Sequence, residues 1–202
     1  ELGWELYIPT EFSLHVFDTL VEAGEDIREP PLAPDRARGG ESNDVGLVFA
    51  GLQALDTLRL EKGYRDYGND VDNLDTPLEA GLSRFVDFDK PGGFLGREAL
   101  LRHKKAGIKH RLLQFLLEDP EPLLYYNEPI YRDGELAGRI LAGGYGHTLG
   151  ASVGLGYIEH EEGVSADYVK SGAYEILVAG VRYPTQASLR PMYDPKSERV
   201  RS

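Results

Sequence analysis

From residue 109 to residue 192 the chain is cut into short apolar runs by glycines and tight-turn dipeptides, and that spacing points to an antiparallel β module. Asp133-Gly134 and Ala179-Gly180 each stand between two strand-like runs. Such pairs suit two-residue hairpin loops, whose central residues need positive φ. Leu112 to Leu117 reads as a strand, and Gly143, Gly144, Gly146, Gly150, Gly154 and Gly156 punctuate further ones. We expect residues 109–192 to close into a small barrel that is all β.

The first half has a different texture. Residues 2–8 alternate, with Leu2, Trp4, Leu6 and Ile8 on one face and Gly3, Glu5 and Tyr7 on the other, which predicts a strand. Thr10 is placed to cap a helix with Phe12, Val16, Phe17 and Leu20 as its apolar stripe and Gly24 as its end. Residues 29–44 hold three prolines, two adjacent glycines and many charges, so 25–44 reads as an insertion loop. Val48, Leu52, Leu55 and Leu58 then predict a helix over 45–62, stopped by Gly63. A polar, aspartate-rich loop (64–76), a short strand near 83–88 and a helix near 96–105 complete this half. The fold class expected is α+β, an α+β lobe followed by a small Greek-key antiparallel β barrel, with the domains at 1–107 and 108–202. The chain opens on Glu1 rather than methionine, directly on a strand-like segment, and we expect further residues of the first domain upstream.

Composition narrows function by exclusion. The chain has no cysteine, which removes disulfides, thiol nucleophiles and cysteine-ligated zinc, and fits a reducing compartment. The net charge of −12 opposes nonspecific binding to nucleic acid or to an anionic membrane surface. The compartment expected is the cytoplasm, or the mitochondrial matrix in a eukaryote.

Several motifs fail on context. Gly150-Ala151-Ser152-Val153-Gly154 spells a nucleophile elbow, but a strand–turn–helix is required there and the string lies among β segments. The glycines of 143–150 lack dinucleotide spacing and a following helix. His15, His103, His110, His147 and His160 are scattered, so no metal site is expected. Asp66, Asp70, Asp72 and Asp75 lack the glycine and terminal glutamate of a calcium loop and read as a solvated acidic loop. Glu5 admits two readings. It is a surface carboxylate on an edge strand, or, beside Trp4 and Tyr7, a fork that accepts two adjacent N–H groups of a flat heterocycle such as a pterin.

Family resemblance bears on that choice. ELGWELYIP (1–9) resembles the G-E-x-G-x-E-[IL] strand of the glycine-cleavage T-protein superfamily, and GLQALDTLRLEKGYRDYGND (51–70) its A-x-D-[ST]-L-R-L-E-x-G…Y-G-N-[DE] block. TPLEAGLSRFVDF (76–88), FLGREALLRHKKAG (94–107) and EPIYRDGELAGRILAGGYGHTLGASVGLGYI (128–158) resemble the blocks that follow, in order. The spelling RLEKGYR and the ending SLRPMYDPKSERVR look most like sarcosine and dimethylglycine dehydrogenases.

The resemblance implies that 1–107 is the C-terminal part of a folate-binding domain and 108–202 an aminomethyltransferase barrel domain. It implies that Glu5 binds the pterin, that Glu1 is structural, that Tyr67 lies near the folate, and that Arg190 and Tyr193 lie on a final segment returning toward it. Leu55 stands where glycine-cleavage T-proteins carry a folate-contacting arginine, which favours the dehydrogenase branch. The family's catalytic aspartate is expected upstream of this chain, so no catalytic residue is assigned here and the chain alone is expected to be inactive.

The function implied is tetrahydrofolate-dependent aminomethyl transfer from a small methylated amine or aminomethyl donor, with FAD only if an upstream oxidase domain exists in the same chain. No nucleic acid or membrane partner is expected. The alternative is a non-catalytic folate-binding or scaffold module serving another domain or chain. A further rival uses folate as acceptor for a different methyl donor.

Overall fold

The structure, a computed structural model, describes residues 4–26, 47–199 and 201. The chain forms two compact units, residues 1–51 and 52–202. Most of the expected insertion loop, from residue 27 on, lies outside the described residues.

In the first unit, residues 4–9 are irregular, not the strand that their alternation predicts. Alternation supplies the pattern of a strand, but a strand also needs a hydrogen-bonded neighbour, and residues 4–8 have none among the described residues. A 3₁₀ turn at Thr10–Phe12 leads into α1 (Ser13–Asp26). Thr10 is part of that turn and does not cap it with its side chain; Ser13 Oγ donates to the Thr10 carbonyl at 2.8 Å. Gly24 lies inside α1 rather than ending it. Its role is close approach, since a Cβ there would fall 2.6 Å from Leu47 Cβ. The Phe17 and Phe49 rings stack at 5.9 Å.

The second unit starts with α2 (Leu52–Lys62), shorter than the predicted 45–62. Its end is as expected. Gly63 takes φ +65°, its N–H bonds the Leu60 carbonyl, and the Tyr64 N–H bonds the Arg59 carbonyl, the paired bonds of a Schellman stop. The strand expected near 83–88 is instead a 3₁₀ turn, Ser83–Phe85, followed by irregular chain. Apolar content alone does not make a strand where no neighbour offers pairing, as with residues 4–8. α3 follows at Arg97–Ala106.

Six strands then form a closed antiparallel barrel in the order β1-β4-β3-β2-β5-β6. They are β1 (His110–Leu117), β2 (Pro129–Arg132), β3 (Glu135–Gly146), β4 (Ala151–Glu159), β5 (Tyr174–Val178) and β6 (Val181–Ser188). β2, β3 and β4 are neighbours in sequence and space while β1 returns beside β4, which is the Greek-key arrangement. Both predicted hairpin turns form with positive φ at both residues, Asp133 and Gly134, and Ala179 and Gly180. The barrel region also contains a helix that the glycine pattern does not announce, α4 (Ala166–Ser171), capped by Ser165 Oγ accepting from the Tyr168 N–H at 3.1 Å. No helix among the described residues is long and apolar enough to cross a membrane.

β1 is buried on both faces. Leu113, Phe115 and Leu117 point into the barrel with Ile130, Ile140, Ile158 and Ile176. Leu112 points outward into a second cluster with Leu60 of α2 and Val153, Leu155 and Tyr157 of β4. The barrel wall therefore serves two cores, and α2 is seated on its outside.

Candidate functional site

The residues of the Arg59-Leu60-Glu61-Lys62 run are the joint between α2 and the barrel. Leu60 is fully buried. Glu61 is 2% exposed, and its Oε1 accepts the Thr148 N–H at 2.7 Å and the Leu149 N–H at 2.9 Å, holding the β3–β4 turn. Lys62 Nζ donates to the Asp194 carbonyl at 2.7 Å and carboxylate at 2.9 Å, pinning the C-terminal segment. The hydrogen bond from Lys62 is the main cause that holds the Asp194 carboxyl below its ordinary range. Gln114 of β1 donates from Nε2 to the Leu60 and Glu61 carbonyls and accepts the Met192 N–H at Oε1.

The loop after α2 is only in part the solvated acidic loop that its composition predicts: Asp72 is exposed and Asp66 and Asp75 are half-buried, but Asp70 is buried. Asp70 is 1% exposed, accepts the Asp66 N–H at 2.8 Å and pairs with Arg59 at 2.6 Å. Burial raises its carboxyl above the ordinary range, against the Asp66 hydrogen bond and the Arg59 charge. Asp72 and Asp75 cap nearby backbone N–H groups at Leu74 and Asp72. These carboxylates shape the loop. Ser152 of the elbow-like string is fully buried in β4, where its hydroxyl donates to the Pro122 carbonyl at 2.7 Å. Among the described residues it has no helix directly after its turn and no base bonded to its hydroxyl.

The residues assigned by resemblance are distributed as follows. Glu5 lies in the first unit, exposed, with no hydrogen bond or ion pair among the described residues. Tyr67, Arg190 and Tyr193 lie in the second unit. Tyr67 is 73% exposed on the turn of the acidic loop. Arg190 is exposed beyond β6, and its N–H bonds Ser188 Oγ. Tyr193 is half-buried, its N–H directed at the Glu61 carbonyl and its ring 5.9 Å from Lys62 Nζ. Tyr193 thus sits at the C-terminal end of α2, while Tyr67 bridges Val71 within the acidic loop. Leu55 is 59% exposed on the same helix.

The second unit also holds a concavity of about 850 Å³ between the 68–75 loop and the barrel wall. Strand register builds its floor. His110 of β1 is opposite Glu159 of β4, and Tyr157 of β4 is opposite Arg139 of β3. The His110 and Tyr157 rings stack at 4.0 Å, 15° from parallel. Burial, with the charges of Asp75 and Glu79, pushes the Tyr157 hydroxyl well above its ordinary range. Sequence reasoning set His110 aside as one of five scattered histidines. Its neighbours in this floor are 29 to 49 positions away in the chain, so no local pattern announces them.

Comparison with known proteins agrees with this architecture. Residues 110–194 match the glycine cleavage T-protein C-terminal barrel domain, and residues 40–90 match the GCVT N-terminal domain. The 4-methylaminobutanoate oxidase (formaldehyde-forming) of Paenarthrobacter nicotinovorans is 41% identical over 201 residues, covering all of this chain and 22% of that protein. The mitochondrial sarcosine dehydrogenase of Homo sapiens is 37% identical over 203 residues, again all of this chain and 20% of that protein. The chain therefore spans about a fifth of the length of these relatives. Among solved structures, the glycine cleavage system aminomethyltransferase T from Bartonella henselae shares the fold with a TM-score of 0.60 at 23% identity, over 72% of this chain and 39% of that one. With the dehydrogenase likeness running the full length of the sequence and the closed Greek-key barrel beneath it, the chain belongs to the glycine-cleavage T-protein superfamily.

Proposed function

We propose that this chain is the C-terminal part of a tetrahydrofolate-dependent one-carbon enzyme of the sarcosine and dimethylglycine dehydrogenase type. The observation that carries the reading is similarity over the whole of this chain to the human mitochondrial sarcosine dehydrogenase, 37% identical over 203 residues. The division into a folate-domain part, 1–107, and an aminomethyltransferase barrel domain, 108–202, belongs to the same proposal.

Bound tetrahydrofolate supplies the amine that takes up the one-carbon unit. The residues present suit its binding rather than its chemistry. The Glu5 carboxylate has no partner among the described residues, and a carboxylate can accept two adjacent N–H donors in a fork. Tyr67 is exposed on the loop after α2, and Lys62 steadies the segment that carries Tyr193. The proton-transfer carboxylate and any FAD site belong to regions outside this chain. Leu52, Leu55 and Leu58 are 82%, 59% and 56% exposed along α2, an apolar stripe that suits coverage by the rest of the folate-binding domain.

In the full-length protein, Glu5→Ala is expected to weaken tetrahydrofolate binding ~100-fold by calorimetry, the loss of a bidentate charge-assisted contact. An unchanged dissociation constant would sink the Glu5 assignment. Assaying the full-length protein with sarcosine, dimethylglycine and sulfonium donors, and following methylenetetrahydrofolate against free formaldehyde, separates folate transfer from simple oxidation. Folate binding without turnover of any donor would support the non-catalytic module instead.

A further inference from the structure

We propose that Gln114 is a positioning residue: its side-chain amide, set in the outer wall of the barrel, fixes where Tyr193 stands at the end of α2. The register of β1 turns Leu112, Gln114 and Leu116 to the same side, so an amide interrupts an apolar row that packs with Leu60 of α2. Gln114 is 3% exposed. A buried amide costs free energy unless its donors and acceptor are used. Here Nε2 donates to the Leu60 carbonyl at 2.6 Å and the Glu61 carbonyl at 2.9 Å, while Oε1 accepts the Met192 N–H at 2.7 Å. These partners fix the amide's orientation, since a flip would set its oxygen against two carbonyls and its nitrogen against an N–H.

All three partners are main chain. Two are carbonyls in the last turn of α2, where a helix runs out of its own donors. The third is the N–H of the residue before Tyr193. Gln114 therefore caps α2 from the barrel wall and sets the distance between that cap and the C-terminal segment. The Tyr193 N–H is directed at the same Glu61 carbonyl at 3.4 Å. Beyond it Lys62 holds Asp194, and Asp194 and Ser197 take φ +41° and +53°, left-handed values that such residues keep where their surroundings impose them. Side chains of α2 and β1 thus dictate the path of the segment. Apolar packing against Leu60 would be served equally by a methionine at 114; what the amide adds is placement. The consequence for a ligand rests on the folate reading of Tyr193: without the amide the ring loses its place, and tetrahydrofolate affinity falls although Gln114 does not touch the ligand.

The test uses the full-length protein and follows hydrogen exchange at residues 192 and 193, each variant against wild type at the same pH. Gln114→Met is expected to lower protection there ~10-fold at every pH. Gln114→Glu separates polarity from packing. Protonated, its carboxyl still donates one hydrogen bond and accepts another; ionised, it sets oxygens against two carbonyls. Burial there raises the folded pKa above the unfolded one, so the stabilisation is complete below the unfolded value and lost as pH rises through the folded one. Protection in Gln114→Glu is therefore expected near the wild-type level at pH ~5 and near that of Gln114→Met at pH ~9. Of the residues bonded to Gln114 only Glu61 is ionisable, and its Oε1 is engaged with the Thr148 and Leu149 N–H groups in wild type as well. Met192→Pro removes the N–H that Oε1 accepts and leaves the barrel wall intact; it is expected to loosen residue 193 to the same extent, and it decides the matter should the variants at 114 not fold. Calorimetry at pH ~8 is expected to show ~5-fold weaker tetrahydrofolate binding in Gln114→Glu, a loss that disappears in a Tyr193→Ala background because the two residues act as a unit. Wild-type protection in all three variants, a loss in Gln114→Glu that does not change with pH, or an affinity loss that adds fully to Tyr193→Ala overturns the proposal. If wild type binds no tetrahydrofolate, the folate reading fails by itself, and exchange at residues 192 and 193 still decides the role of Gln114.

Discussion

Replacing Arg59 by methionine is expected to destabilise the second unit by about 3–5 kcal/mol in denaturant unfolding, because it strands a buried carboxylate. Asp70 is 1% exposed, and the Arg59 guanidinium at 2.6 Å is its cationic partner. Methionine keeps much of the packing volume, so the loss reports the charge rather than a cavity. The pH dependence gives a sharper reading. Burial already raises the Asp70 carboxyl in the folded protein, against the Asp66 hydrogen bond and the Arg59 charge. A carboxyl whose folded pKa exceeds its unfolded one contributes stability that is complete below the unfolded value and lost as pH rises through the folded one. Without Arg59 that rise is larger. The deficit of Arg59→Met should be small below pH ~4 and grow as pH climbs through the raised folded value. Asp70→Asn in the same background should restore much of the stability at neutral pH, since asparagine still accepts the Asp66 N–H. A deficit independent of pH, or no recovery in the double variant, would show that Arg59 acts through packing alone.

The second large effect belongs to Glu61. Its Oε1 is the acceptor for both Thr148 and Leu149 N–H groups in the β3–β4 turn, and the side chain is 2% exposed. Glu61→Ala leaves two amides without an acceptor under a packed helix, which should cost about 3 kcal/mol. Glu61→Gln keeps an acceptor oxygen and should cost less than half of that. Hydrogen exchange locates the effect: the Thr148 and Leu149 amides should lose protection in the alanine variant and retain most of it in the glutamine variant. Wild-type protection at both amides in Glu61→Ala would refute the anchoring role.

These two variants explain why the Arg59–Lys62 run is so recognisable in the sequence. It reads as a family signature, yet its side chains are spent on structure: Arg59 on a loop carboxylate, Glu61 on a hairpin, Lys62 on the C-terminal segment. A motif is visible in a sequence whether its residues touch a ligand or hold the fold, and the partners decide which. The aspartates of 66–75 make the same point from the other side. Composition predicts a solvated loop because aspartate seldom leaves water, and burial of Asp70 depends on an arginine 11 residues away.

Local chemistry was sufficient for the barrel. Asp133-Gly134 and Gly180 take positive φ readily on their own, while Ala179 is held there by its two-residue hairpin; period-two geometry sends alternate side chains of a strand to the interior, and Gly63 stops α2 through its own backbone. Each of these is decided within a few residues, so the sequence alone determined the β module, its two hairpins and the helix stop. It did not determine whether an alternating segment becomes a strand. Residues 4–8 and 83–88 carry apolar patterns without a pairing partner among the described residues, and pairing is a property of the neighbour. Nor could it place His110 against Tyr157 or Asp70 beneath Arg59. Those contacts arise from strand register and from seating α2 on the outer barrel wall, and only the tertiary structure sets both.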